Sequence, residues 1–245
     1  MDPEKKIKEF VDRARQTAEA NLECIILYGS AATGEYDHEF SDLNIFCVLR
    51  DVSFSALQSF APVAKWWAKQ HQPAPLVMSR AELERSADVF TIELLDMQHH
   101  HRLLYGNDVL QGLHVPMNLH RVQVEYELRE KLVLLRKELV LASDKDKSLW
   151  ELLLRSVPSF VTLFRHAALA LGQPEPSGKR GSVEALSKLV DFDVSAVLEV
   201  LDVREHRTDR GKVKVAGLAQ RYLAAIEQVT AAVDKAMESG TLGRS

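Results

Sequence analysis

Leu27-Tyr28-Gly29-Ser30, followed after a loop by Ser41-Asp42-Leu43-Asn44-Ile45-Phe46-Cys47-Val48-Leu49, is the stretch that decides how the chain reads. The run Cys24-Ile25-Ile26-Leu27-Tyr28 is short, apolar and β-branched and stops on Gly29-Ser30, the pattern of a buried strand emptying into a tight turn. Gly29 lets a backbone or a phosphate approach where a Cβ would collide, and the Ser30 hydroxyl, with nearby amide hydrogens, suits phosphate oxygens. Asp42 opens a second strand whose remainder is apolar. Residues two apart on a strand point to one face, so Asp42 and Asn44 are expected to look in the same direction.

Working outward, residues 7–20 place Ile7, Phe10, Val11, Ala14 and Ala18 at helical spacing, a first amphipathic helix. Residues 31–39 read as a short turn or helix. Residues 53–70 form a helix with Phe54, Leu57, Phe60, Val63, Trp66 and Trp67 on or near one face; the tryptophans read as core, with base stacking as the other reading. Pro73 and Pro75 close it, Leu76-Val77-Met78 is a short strand, and Ser79 caps a brief helix over residues 80–86, with Glu82 placed to reach back to the cap. Val89-Phe90-Thr91-Ile92-Glu93-Leu94-Leu95-Asp96 then reads as another strand, with Glu93 in its middle. A carboxylate buried there needs a metal or an ion-pair partner such as an arginine; Asp96, on the opposite face of a regular strand, is the second choice. His99-His100-His101 cannot all face one ion and reads as a polar edge. Residues 103–110 form a closing strand and turn bent at Gly106.

The Gly-Ser turn followed by Ser41-Asp42 resembles the DNA polymerase β-like nucleotidyltransferase superfamily, especially its small bacterial antibiotic-adenylyltransferase-like, kanamycin nucleotidyltransferase-like members. Their signature is a strand ending in Gly-Ser, an Asp-x-Asp motif, and a third carboxylate on a later strand. The resemblance implies an α+β fold, a mixed-sheet nucleotidyltransferase core over residues 1–113 followed by a C-terminal α-helical bundle over residues 117–240. It implies that Gly29, Ser30 and Asn44 contact a nucleoside triphosphate, with ATP the expected one, and that Asp42 and Glu93 are the catalytic and Mg²⁺-binding carboxylates. This chain departs from the motif at Asn44, which offers a neutral carbonyl oxygen where the family has an aspartate, and it has Ala31-Ala32-Thr33-Gly34 where many relatives place an arginine. Hard cations want anionic oxygens, so the activity has two readings. One is transfer of a nucleotidyl, and most simply an adenylyl, group to a small-molecule or protein hydroxyl. The other is a catalytically silent nucleotide-binding or partner-binding relative. The family fold also implies antiparallel strands that bring Cys24 and Cys47 near each other, though as reduced core residues.

From Leu113 to Met117 the periodicity changes, with Pro116 at the boundary. Residues 118–142 read as a long helix with a stripe of Val122, Tyr126, Leu128, Leu132, Leu135, Leu139 and Val140. Residues 148–171 form a second, interrupted or kinked near Pro158, and 179–190, 193–203 and 217–237 supply three more. An apolar outer face on such a bundle makes a homodimer unsurprising. Lys179, Arg180, Arg204, Arg207, Arg210, Lys212 and Lys214 read as a solvated charge run, with phosphate contact as the alternative.

The 245 residues suffice for one large domain or two ordinary ones, and 46% hydrophobic with 27% charged residues is the balance of a globular protein. With 31 basic against 35 acidic residues the formal charge of −4 argues against a dedicated nucleic-acid binder. Without a signal-like start or a membrane-length apolar run, a cytoplasmic protein with no membrane partner is expected.

Overall fold

The computed structural model describes residues 2–34, 36, 40–142 and 145–238 and divides into two compact units, Met1–Pro116 and Met117–Ser245. The architecture is α+β, with a mixed sheet in the first unit and helices alone in the second.

In the first unit α1 (Pro3–Ala18) leads into β1 (Leu22–Tyr28), the short α2 (Ser30–Thr33), β2 (Asn44–Leu49), α3 (Phe54–Lys69), β3 (Leu76–Ser79), α4 (Arg80–Arg85), α5 (Thr91–His99) and β4 (His101–Gly106). The sheet order is β3-β2-β1-β4; β1 pairs antiparallel with β2 and β4, and β2 pairs parallel with β3. Both faces are covered, which is why the central strands are continuously apolar rather than alternating. On one face Ile25, Leu27, Ile45, Cys47 and Leu49 pack against Ile7, Phe10 and Ala14 of α1 and Phe60, Val63 and Trp67 of α3. On the other, Cys24, Ile26, Phe46 and Val48 meet Leu83 of α4 and Leu94 and Met97 of α5.

The antiparallel pairing brings the two cysteines to adjacent rungs, as expected, but the pleat turns them apart. Cys24 is opposite Val48, and Cys47 opposite Ile25, so the cysteines point to opposite faces. Both tryptophans are structural. Trp67 is fully buried with its ring 4.9 Å from that of Phe10, and Trp66 lies half-buried under the Arg13 guanidinium at 4.5 Å. Phe54 and Leu57, by contrast, are exposed, because the first turn of α3 overhangs the core. Ser79 accepts from the Glu82 N–H while the Glu82 carboxylate accepts from the Ser79 N–H at 2.8 Å, the reciprocal cap legible from its spacing. At Gly106, φ is +79° and a Cβ would stand 2.0 Å from the Glu23 carbonyl oxygen, so only glycine ends β4 this way.

The second unit comprises α6 (Met117–Ala142), α7 (Asp146–Ala170), α8 (Gly178–Ser187), α9 (Val194–Arg204) and α10 (Val215–Glu238). α7 packs against each of the others and continues through Pro158 without interruption. The inner stripe of α6 is His120, Val124, Leu128, Leu132, Leu135 and Ala142; Val122, Tyr126 and Val140, expected inside, are exposed. His120 and His166 are fully buried, with Nε2 of one 2.8 Å from Nδ1 of the other, a polar link between α6 and α7 that the apolar pattern concealed. Part of the basic run is engaged in place. Arg180 binds Asp202 and Glu205, Arg207 pairs with Glu205 at 3.1 Å, and Arg204 donates to the Leu154 carbonyl. No described helix is long and apolar enough to cross a membrane.

Candidate functional site

The candidate site is the corner where β1 ends and β2 begins. Gly29 has φ +76° and ψ −157°, a backbone state that essentially only glycine adopts. Asn44 lies directly across from Tyr28, and a Cβ on Gly29 would stand 3.2 Å from Asn44 Nδ2. Gly29 and Asn44 are thus two walls of one corner. Ser30, half-buried, starts α2; the Ala32 N–H donates to the Gly29 carbonyl at 2.9 Å and Thr33 Oγ1 to the Ser30 carbonyl at 3.1 Å, so the turn is held by its own bonds.

Asp42 does not open β2 as expected but lies in the irregular segment just before it, exposed. Leu43, between Asp42 and Asn44, is 1% exposed, and its N–H donates to Gln72 Oε1 at 2.7 Å. Leu43 thus anchors the segment in the core and leaves Asp42 and Asn44 flanking it. Gln72 is a positioning residue that nothing in its sequence surroundings marked.

Glu93 is the larger correction. The segment expected as a strand is α5, and neither later strand supplies the expected third carboxylate: β3 is Leu76-Val77-Met78-Ser79 and β4 is His101-Arg102-Leu103-Leu104-Tyr105-Gly106. Thr91, Ile92, Leu94, Leu95 and Met97 are all buried, so α5 is apolar on more than one side and its helical period was masked. Glu93 is exposed, and Asp96 shares its helix face rather than pointing away, since residues three apart on a helix are neighbours. Glu93 nevertheless stands near the corner: burial raises the pKa of the Tyr28 hydroxyl, and the Glu93 charge raises it further. Asn44, Tyr28 and His101 lie in register across β2, β1 and β4 and share the sheet face on which α5 packs. His101 Nε2 is 3.0 Å from Asp108 Oδ2, and the other Asp108 oxygen accepts the Leu110 N–H.

The structure is similar to that of spectinomycin adenyltransferase AAD(9) from Enterococcus faecialis, solved with ATP and spectinomycin, with a TM-score of 0.58 over 92% of this chain and 100% of that one. The chain has the nucleotidyltransferase fold. Sequence identity is 13%, so the likeness is one of fold alone. A smaller overlap, with 20% identity over 43% of this chain and 75% of that one at a TM-score of 0.29, is found with a toxin-antitoxin solved with AMP-PNP. No family model matches the sequence, and no curated protein matches it.

Set within the nucleotidyltransferase fold, the donor set for a divalent ion is thin. Asp42 is one carboxylate and Asn44 a neutral amide, and Glu93, on a helix, is tied to the corner through the effect of its charge on Tyr28. Among the described residues no three His, Cys, Asp or Glu side chains group closely enough to hold a metal ion by themselves. Mg²⁺ is commonly bound by one or two carboxylates with substrate phosphates completing its shell, so a site of few protein ligands is the kind that a single carboxylate beside an amide could serve, and an all-protein cage is not.

Proposed function

We propose that the chain binds a Mg²⁺-nucleoside triphosphate at the Gly29–Asn44 corner and transfers its nucleotidyl group to an acceptor hydroxyl. The observation carrying this reading is the glycine-only turn at Gly29, packed against Asn44 and followed by the half-buried Ser30, with Asp42 at its side. The bare Gly29 surface admits the phosphates, and Ser30 and the Asn44 amide supply neutral donors to their oxygens. Asp42 and Glu93 would hold the ion, which when bound neutralises triphosphate charge. In the transfer, the acceptor oxygen bonds to the α-phosphorus, the bond to the β-phosphate oxygen breaks, and pyrophosphate leaves while the hydroxyl proton passes to a base. The likeness to an adenyltransferase solved with ATP makes ATP the first nucleotide to test. The division between Pro116 and Met117 supports a nucleotidyltransferase domain followed by a helical one.

A second reading, binding without transfer, is favoured by Asn44 together with the acid-free β3 and β4. The loss of one preorganised electrostatic group commonly costs about 10²- to 10³-fold in rate. Calorimetric titration with each of the four common nucleoside triphosphates, with and without Mg²⁺, tests the shared part: metal-dependent binding that Asp42→Ala abolishes is expected, and no binding of any nucleotide sinks both readings. Pyrophosphate release that rises in Asn44→Asp supports transfer. Tighter Mg²⁺-nucleotide binding by that variant with no release supports the silent form.

A further inference from the structure

The transfer leaves one proton without a destination. Asp42 and Glu93 are committed to the ion, and Ser30 and the Asn44 amide to phosphate oxygens, so none is spared for the acceptor hydroxyl. A base for it has to stand at the same end of the sheet, beside the corner but outside the ion's shell.

His101 occupies such a position. It opens β4 directly opposite Tyr28, as Asn44 does from β2 on the other side, and the three share one sheet face. β2 and β4 are two strand spacings apart, about 10 Å, so an acceptor oxygen seated over Tyr28 is within a side chain's reach of both. The imidazole is held from behind. Its Nε2 is 3.0 Å from Asp108 Oδ2, and Asp108 Oδ1 accepts the Leu110 N–H at 3.0 Å, so the turn after β4 fixes the carboxylate and the carboxylate fixes the ring. Because a carboxylate only accepts, the hydrogen is assigned to Nε2, which leaves the lone pair on Nδ1. Among the described residues Nδ1 makes no hydrogen bond. The His101 side chain is 15% exposed and that of Asp108 28%, sheltered from bulk water without being sealed from it. An imidazole whose tautomer is set by a fixed carboxylate is an arrangement that activates a weak hydroxyl nucleophile.

We propose that His101, oriented by Asp108, is the general base of the transfer, an inference that rests on the transfer reading above. The acceptor O–H proton passes to Nδ1 as the acceptor oxygen bonds to the α-phosphorus and the bond to the β-phosphate oxygen breaks. Asp108 stabilises the imidazolium so formed, pyrophosphate leaves, and the proton is then given up to water. The test is pyrophosphate release from Mg²⁺-ATP with glycerol as the acceptor hydroxyl, beside calorimetric binding of the same nucleotide. Asp108→Asn retains an acceptor for the Leu110 N–H and can donate to Nε2, so the turn and its packing survive while the hydrogen moves to Nδ1. That variant should bind nucleotide as before and lose about 10²- to 10⁴-fold in rate. His101→Ala should lose as much, and added imidazole should restore part of it. A link that is merely structural would tolerate Asp108→Asn and would not answer to imidazole. Release that Asp108→Asn leaves unchanged, or that imidazole fails to restore in His101→Ala, overturns the base alone. No release from either the chain or Asn44→Asp overturns transfer, and the base with it.

Discussion

At the scale of single residues, the corner depends on Gly29 more than on any charge. Its φ and ψ lie where a side chain is strained, and the Cβ would also press on Asn44 Nδ2. Gly29→Ala is therefore expected to lower stability by about 1–3 kcal/mol in urea unfolding and to abolish nucleotide binding even where the fold survives. Gly29, Ser30 and Asn44 were legible as a group because their chemistry is local: a strand, a turn, and a partner strand in register. Gln72 was not, because its role is a single long-range bond to the Leu43 N–H that no pattern encodes. Tyr28 became part of the site only when α5 brought Glu93 to it.

At the scale of elements, strands and caps with a strong local signal read correctly and evenly buried elements did not. β1, β2, β3 and the Ser79 cap follow from apolar runs and a fixed spacing. α5 was mistaken for a strand since burial on several sides removes the polar residues that reveal a period. On α6 two apolar rows compete, and spacing alone does not say which one meets the core. The α9 start carries a pH-dependent prediction. Asp193 accepts from Ala196 N–H and Arg221 Nε, and its carboxyl is held down at about 2, chiefly by the Arg221 hydrogen bonds against the opposing effect of burial. A carboxyl lowered on folding contributes stability that is present above its unfolded pKa, near 4, and is lost as pH falls toward 2. Arg221→Met should let that carboxyl rise toward its ordinary value. The variant is expected to melt earlier at pH 7 and to lose less on going from pH 4 to pH 2, as followed by helical circular dichroism.

At the scale of the molecule, each unit has its own hydrophobic core, sheet and helices in one and α7 with its neighbours in the other. Fragments 1–116 and 117–245 are accordingly each expected to fold, the first with strand and helix signals and the second with helix alone, each by a cooperative transition. An unfolded fragment in either case would mean that the division is not one of autonomous domains. The placing of the two cysteines turns this division into a tool. Both lie in the first unit, fully buried on opposite faces of the same sheet, and burial pushes the Cys24 thiol up to about 11 and Cys47 further still. A thiol reagent in neutral buffer meets no reactive sulfur until the core around that sheet opens, and the second unit contributes none. The rate of labelling is thus a clock for the opening of the first unit's core, sheet and covering helices together, running without an engineered probe and blind to the second unit.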